Sequence, residues 1–443
     1  MTVQDKFSSL TALKPARKAS GLSRASADRS RGFMPALPDG AERLAQLLEA
    51  GASANEFGEH LTVRKWFSEP IGHAAPEGIV NASALHLLVP KASDAVADPS
   101  QWLFLDTETT GLMGGTGTYP FLVGIAWWDA GGLQIEQFFM RELNEEHAVL
   151  LTLAERMASR PVLVTFNGKS FDWPLLETRY RMTRTIKPSA PHTHLDFLHP
   201  ARNLWRIRLG SVRLAELEKH VLGWNRGADL ISEMIPQFYF DYLRGGAPEP
   251  LVQVFLHNQM DLRGLAGLAS RIVAILAEPE TLGVTDGLEL FGVSRICERR
   301  GETARARKHY AQSLASTLPP DTDRAARRSL ARLAKRARDF PSACELWESI
   351  LGNSREGLEA YEQLAIYYEH QRAEPNRAAT LVRTALSELQ LARRHAWLSA
   401  ALHRHYRTRF EHRLKRLERL ERLLQTGPRP LLDAVESESP AQA

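Results

Sequence analysis

Three apolar residues, Leu103, Phe104 and Leu105, run directly into Asp106-Thr107-Glu108, and no other stretch restricts the fold so tightly. An apolar run of this kind marks a buried strand. Successive strand side chains alternate faces, so Asp106 and Glu108 leave the same side of the sheet. Two carboxylates side by side at the end of a buried strand repel each other and lose hydration, which disfavours both charges. A divalent cation relieves both penalties, because carboxylate oxygens are the ligands Mg²⁺ and Mn²⁺ prefer. A bare Asp-x-Glu equally fits a strand end that meets solvent, so the remainder of the chain has to decide.

At 443 residues the chain is long enough for two or three domains with a large core. Its net charge of +4 is modest, but the basic excess gathers at the two ends, a distribution that suits a polyanionic partner better than a membrane. The two cysteines, Cys297 and Cys344, cannot build a disulfide framework or a zinc site and favour a reducing compartment. No run of about eighteen apolar residues occurs, and the expected location is the cytoplasm. Residues 1–35 carry seven Lys and Arg against two Asp and read as a disordered basic arm, a composition an organellar transit peptide shares. Residues 36–100 form a small lead-in segment, with a helix within 40–51 and a strand at 59–67.

From Trp102 the pattern is α/β. Strands are predicted at 102–108, 121–128 and 133–140, the last two joined by a short turn, so the three form an antiparallel meander. A helix at 145–159, a strand at 162–166 and a helix from Trp173 to Met182 follow. That order is the order of a ribonuclease-H-like mixed sheet flanked by helices. The Gly-rich stretch 111–118 lacks a Gly-Lys-Ser/Thr ending and leads into a strand, so it is a connection near substrate and not a phosphate loop.

Asn167-Gly168-Lys169-Ser170-Phe171-Asp172 follows the fourth strand and places an acid at the mouth of a helix. Within the helical run 251–276, His257 and Asp261 stand four apart and share a face. Taken with Asp106 and Glu108, these residues supply four carboxylates and one imidazole from separate elements, the set that two-metal phosphoryl chemistry needs. The imidazole has an unperturbed pKa of about 6.5 and is suited to take a proton from water.

These motifs, Asp106-x-Glu108, Asn167-x-x-x-Phe171-Asp172 and His257-x-x-x-Asp261, resemble the exonuclease motifs of the DEDD superfamily. The pattern is most similar to the YprB-type ribonuclease-H-like family. The likeness extends to Asp106 through Leu112, His194-Leu195-Asp196 with Arg202 and Trp205, Leu214 to Glu218 with Leu222-Gly223, Ile235-Pro236, and His257-Asn258. It covers residues 55–278. The resemblance implies metal-dependent 3′→5′ hydrolysis of nucleic-acid phosphodiesters with two Mg²⁺ or Mn²⁺ ions. By position it makes Asp106, Glu108, Asp172 and Asp261 the metal ligands and His257 the base. It departs from the histidine branch of the superfamily in one respect: there the His stands five residues before the last Asp, and here it stands four before. Thr107, Asn167, Asp196, Arg202 and Asn258 are the substrate-side candidates. Asp196 is otherwise a helix cap, and Arg202, Arg206 and Arg208 with Trp205 suit a groove that tracks a nucleic-acid backbone.

The domain boundaries follow: the nuclease-like domain over 101–278, a helical domain over 283–425 and a disordered tail from 426. Ala306/Tyr310/Leu314, Ala343/Trp347/Leu351 and Ala378/Val382/Leu386 recur at spacings of 37 and 35 residues, a pattern that looks like degenerate tetratricopeptide (TPR) repeats and implies a protein partner or self-association. A final basic helix is predicted over 391–425. Two other functions fit the same residues. One is a catalytically silent nucleic-acid-binding or scaffold protein; the other is an endonuclease using the same metal site.

Overall fold

The computed structural model describes residues 40–68, 82–89, 94–111, 116–129, 131–188, 190–227, 230–352, 355–395 and 398–426. The basic arm, the C-terminal tail and the centre of the Gly-rich stretch lie outside the described residues.

The chain opens with α1 (Gly40–Leu48), which buries Leu44 and Leu48. A hairpin follows, β1 (Gly51–Asn55) and β2 (Gly58–Phe67), closed by the two residues Glu56 and Phe57. Gly58 takes φ 120°, and the Phe57 N–H donates to Asn55 Oδ1, so turn chemistry and not side-chain propensity makes the small, polar β1 a strand. Two short helices, α2 (Ala82–Leu88) and α3 (Asp94–Ala97), lead into β3 (Trp102–Thr109), β4 (Pro120–Asp129) and β5 (Gly132–Phe139). Then come α4 (Glu146–Ser159), β6 (Val162–Thr165), α5 (Asp172–Thr183), β7 (Thr193–Asp196), α6 (Leu198–Leu209), α7 (Leu214–Leu217), α8 (Ile235–Leu243) and the long α9 (Glu249–Ala277).

The seven strands form one mixed sheet in the order β1-β2-β5-β4-β3-β6-β7. The meander β3-β4-β5 is antiparallel, while β6 pairs parallel to β3 and β7 parallel to β6. With helices on both faces this is a ribonuclease-H-like mixed sheet. Within the lead-in segment, β2 pairs with β5 along its length and carries the hairpin into the main sheet.

Alternation along β3 sets the two layers. Trp102 and Phe104 join a core with Leu262, Leu265 and Ala266 of α9, whereas Leu103 and Leu105 join one with Val149, Leu150 and Leu153 of α4 and Leu176 of α5. Asp106 and Glu108 continue the α9-side row.

The C-terminal region is all helical: α10 (Gly287–Arg299), α11 (Thr303–Leu314), α12 (Pro320–Arg336), α13 (Phe340–Glu348), α14 (Arg355–His370), α15 (Pro375–Arg394) and α16 (Ala400–Thr426). Neighbours pack as α10 on α11, α12 on α13 and α14 on α15, with α16 against α15. Ala306 and Tyr310, Ala343 and Trp347, and Ala378 and Val382 are all buried on the second helix of their pair. The break expected between 278 and 283 is a change of element and not a gap in packing. Phe291, Val293, Ile296 and Tyr310 belong to the same core as Trp102, Phe104 and α9. The basic helix expected over 391–425 is also divided: Arg393 and Arg394 end α15, and α16 begins at Ala400. Among the described residues no helix is long and apolar enough to cross a membrane.

Candidate active site

The end of β3 is the floor of the site. Opposite Asp106 on β4 stands Gly124, and opposite Gly124 on β5 stands Gln137. A Cβ at Gly124 would overlap the carboxamide of Asn258, which reaches down from α9 into the gap that this glycine leaves. There Asn258 Nδ2 donates to Asp106 Oδ2 at 2.7 Å, and its Oδ1 accepts from Gln137 Nε2 at 2.8 Å. Gln137 Oε1 in turn accepts from Gln259 Nε2 at 2.7 Å. A chain of buried amides thus fixes one oxygen of Asp106, and the missing side chain at Gly124 is what admits it. Burial pushes the Asp106 carboxyl well above its ordinary range, and the nearby charges of Asp261 and Asp172 push it further, against the Asn258 hydrogen bond and the Arg226 charge.

Asp172 is the first residue of α5, where backbone N–H groups favour a carboxylate. Its Oδ1 accepts from Thr107 Oγ1 at 2.6 Å, and burial raises its pKa, opposed by that hydrogen bond. The loop that delivers it turns at Asn167, whose φ is 71°. Asp196, at the end of β7, organises this loop. Its Oδ1 accepts the N–H groups of Asn167 (2.8 Å) and Leu198 (3.0 Å), and its Oδ2 that of Lys169 (3.1 Å). Expected among the substrate-side residues or as a helix cap, Asp196 has both oxygens engaged by the backbone, so it staples the loop to the start of α6.

From α9, His257 and Asp261 face the same mouth. His257 Nε2 lies 4.0 Å from Glu108 Oε1 and 3.6 Å from Asp261 Oδ2, and its side chain is 9 % exposed. The other oxygen of Asp261, Oδ1, sits 2.5 Å from Arg226 Nη2. Arg226 also grips the fully buried Glu218, which begins a π-helical turn after α7. Glu218 fits because residue 264 of α9 is glycine; a Cβ there would collide with its carboxylate. Glu218 lies in the Leu214–Glu218 stretch of the resemblance, but the resemblance gives it no role; Arg226, Gly124, Gly264 and Gln137 carried no motif signal, since each acts through a tertiary contact.

Four carboxylates and one imidazole therefore share one mouth. Asp106, Asp172 and Asp261 each turn an oxygen to a protein donor (Asn258, Thr107 and Arg226), and among the described residues no three acidic, His or Cys side chains are already gathered around a single point. The donor set itself fits a hard divalent ion: oxygen ligands, mutually repelling, one held well above its ordinary pKa by burial first and by that repulsion second. Beside them opens a cleft of about 850 Å³, lined by Thr107, Glu108, Phe171 and Asp172 on one side and by Ser232, Ile235 and Pro236 on the other. Phe171 is 58 % exposed there. Of the expected basic groove, Trp205 is fully buried and donates to Glu289, and Arg208 is paired with Glu289, so neither faces a substrate.

A family model for the RNase_H superfamily (RNase_H_2) matches residues 103–273. The chain is also 31% identical over 288 residues to "Uncharacterized protein YprB" of Bacillus subtilis (strain 168), which spans 64% of this chain and 69% of that relative. The chain belongs to the YprB family. The superfamily match runs from β3 to α9 and so reaches every residue of the mouth, Arg226 and Glu218 included. Among solved structures, the family B DNA polymerase from the hyperthermophilic archaeon Pyrobaculum calidifontis aligns with a TM-score of 0.31 and 14% identity, over 45% of this chain. This chain spans 29% of the polymerase's length, and at that score the likeness carries no residue correspondence.

Proposed function

We propose that this YprB-family chain is a metal-dependent 3′→5′ exonuclease that hydrolyses nucleic-acid phosphodiester bonds by a two-metal mechanism. The observation that carries the reading is the convergence of Asp106, Glu108, Asp172 and Asp261 with His257 beside an open cleft. Isolated, such a set costs stability; as ligands for two Mg²⁺ or Mn²⁺ ions its repulsion becomes attraction. The ions, when bound, would polarise the phosphoryl oxygens and acidify the attacking water. Asn258 holds Asp106 in one rotamer through Oδ2, and Thr107 does the same for Asp172 through Oδ1. His257 is the base: Nε2 faces the mouth between Glu108 and Asp261 and accepts the water's proton there. Phe171 and the apolar wall of Ile235 and Pro236 offer a terminal base a stacking face and exclude water behind it.

The helix pairs after α9 are read as TPR-like repeats that bind a protein partner or a second copy, leaving chemistry to the sheet. The test is release of mononucleotides from the 3′ end of end-labelled single-stranded DNA and RNA with Mg²⁺ or Mn²⁺. Wild type should shorten linear strands and leave circles intact, and Asp106→Ala should cleave neither. Cleaved circles would make the enzyme an endonuclease; no cleavage with any metal would leave a silent nucleic-acid-binding protein.

A further inference from the structure

A second concavity opens on the other side of the 167–171 loop. It encloses about 820 Å³ and is lined by Phe166, Asn167, Leu198, Arg202, Arg206, Val212, Arg213 and Glu216, among others. Three exposed guanidinium groups face it. Arg202 and Arg206 stand one turn apart on α6, about 6 Å along the axis, and Arg213 comes from the segment that follows. The acid in the lining, Glu216, faces His220.

What sets these three apart is that they line one groove together. Arg208, on the same helix, is bonded to Glu289. In the helical region Arg327, Arg332, Arg409, Arg413 and Arg416 all have carboxylate partners. Among the described residues, Arg202, Arg206 and Arg213 have none. Three guanidiniums without counter-ions around one groove create a positive potential that an anion with repeated charges can satisfy.

We propose that this groove is the path of the substrate strand: a single-stranded nucleic acid leaves the cleft over the 167–171 loop and lays successive phosphates on Arg202, Arg206 and Arg213. The inference rests on the nuclease reading for its direction and goes beyond it by assigning the strand a track. The loop is the link. Phe171 and Asp172 line the cleft, Asn167 lines the groove, and the exposed Lys169 stands on the ridge between them. The apolar floor of Phe166, Leu198 and Val212 gives the bases a dry surface while the guanidiniums hold the backbone. Contacts of this kind read phosphate and not sequence.

The experiment measures binding without hydrolysis. The full chain in EDTA is titrated against a fluorescent single-stranded oligonucleotide of about 20 nucleotides, longer than one binding site, at several salt concentrations. Each phosphate neutralised on a single strand contributes about 0.7 to the slope of log K against log salt. The triple variant R202A/R206A/R213A should therefore lower that slope by about 2 and weaken binding about 100-fold at 0.1 M salt. The control R372A/R377A/R383A removes the same net charge from arginines that have carboxylate partners in the helical region, and should change affinity only slightly.

Equal losses in the two triple variants, or no binding of the oligonucleotide by wild type, would overturn the groove. If wild type cleaves nothing while the first variant still loses its salt slope, the groove stands and only the hydrolytic reading fails. If wild type cleaves and the first variant binds as tightly as wild type, only the groove fails. The three residues are exposed and unpaired, so folding of the variant is checked simply by its melting temperature.

Discussion

The mouth of the sheet and the C-terminal helices treat charge in opposite ways. In the helical region several carboxylates are matched to cations: Glu369, 3 % exposed, receives both Arg413 and Arg416, Glu362 receives Arg409, and Glu359 receives Arg332. At the mouth, burial and the neighbouring charges of Asp261 and Asp172 drive Asp106 well above its ordinary pKa, and the Arg226 charge opposes them only in part. A fold that matches its charges in one half has the means to do so in the other. Leaving the mouth underneutralised is a local cost, and on the proposed reading a bound cation is what would offset it, as at a site kept for function at the expense of stability.

The largest expected effects probe that contrast directly. Asp106→Ala should lower hydrolysis about 10³-fold or more, because it removes a ligand and the anchor of the amide chain together. Asp106→Asn should be equally inactive yet more stable than wild type without metal, by about 1–2 kcal/mol, since it keeps an acceptor for Asn258 and deletes the repelled charge. Urea unfolding in EDTA checks the second half. A destabilised, inactive Asp106→Asn protein would mean that the mouth carries no stored repulsion, and the comparison would break.

Metal and pH sharpen it. A group whose folded pKa is raised, as for Asp106, costs stability at neutral pH, and that cost is relieved as pH falls from the folded pKa towards the ordinary value near 3.8. His60 and His194 act with the opposite sign. Burial lowers both to about 4, so each stays neutral in the fold, and stability is lost as pH falls from about 6.5 towards 4. Mn²⁺ at 100 times its dissociation constant should add about 2.7 kcal/mol at pH 7.5, and clearly less at pH 5, where protons compete for the same oxygens. Asp106→Asn should abolish most of the Mn²⁺ increment while leaving the acid loss from the two histidines in place. Melting curves with and without Mn²⁺ at the two pH values test this.

A smaller effect separates geometry from charge. Gly124→Ala changes no ionisable group, but its Cβ takes the space of the Asn258 carboxamide. Overpacking of this kind costs about 1–3 kcal/mol. The displaced Asn258 should also free Asp106 and lower kcat about 10–100-fold with KM nearly unchanged, as for a positioning contact. Full activity in Gly124→Ala would show that the amide chain is only packing.

What was legible in the sequence was what local rules encode. The alternation at Leu103–Glu108 placed both acids on one face, and the i,i+4 spacing did so for His257 and Asp261, because periodicity is a property of the element itself. The strand–helix order from Trp102 to Met182 gave the sheet for the same reason. The β1 strand was not legible: Gly51–Asn55 is small and polar, and only pairing with β2 makes it a strand. For Trp205 the sequence leaves a groove platform and a core residue equally open, and the choice is settled by Glu289, 84 residues away. The niche of Gly264, the buried Glu218 and the reach of Arg226 to Asp261 are likewise tertiary facts. Glycine in the middle of a 29-residue helix was the available hint, since it costs helix stability unless something needs the room.

The smallest effects belong to the helical region. Arg416→Ala removes one of two cations from Glu369, but Arg416 is 42 % exposed and Arg413 remains in place at 15 %. The loss should stay below about 1 kcal/mol, the range of exposed pairs. Glu369→Gln should cost more, about 1–2 kcal/mol, because it removes the counter-charge of both guanidiniums and leaves a weaker acceptor in a nearly buried position. Neither substitution should change the Mn²⁺ increment or the rate of hydrolysis, since a matched pair holds no repulsion for a metal to relieve. If Glu369→Gln shifted metal binding as strongly as Asp106→Asn, the two halves would be electrostatically coupled through their shared core. Charge at the mouth would then have to be reckoned over the whole chain instead of over five side chains.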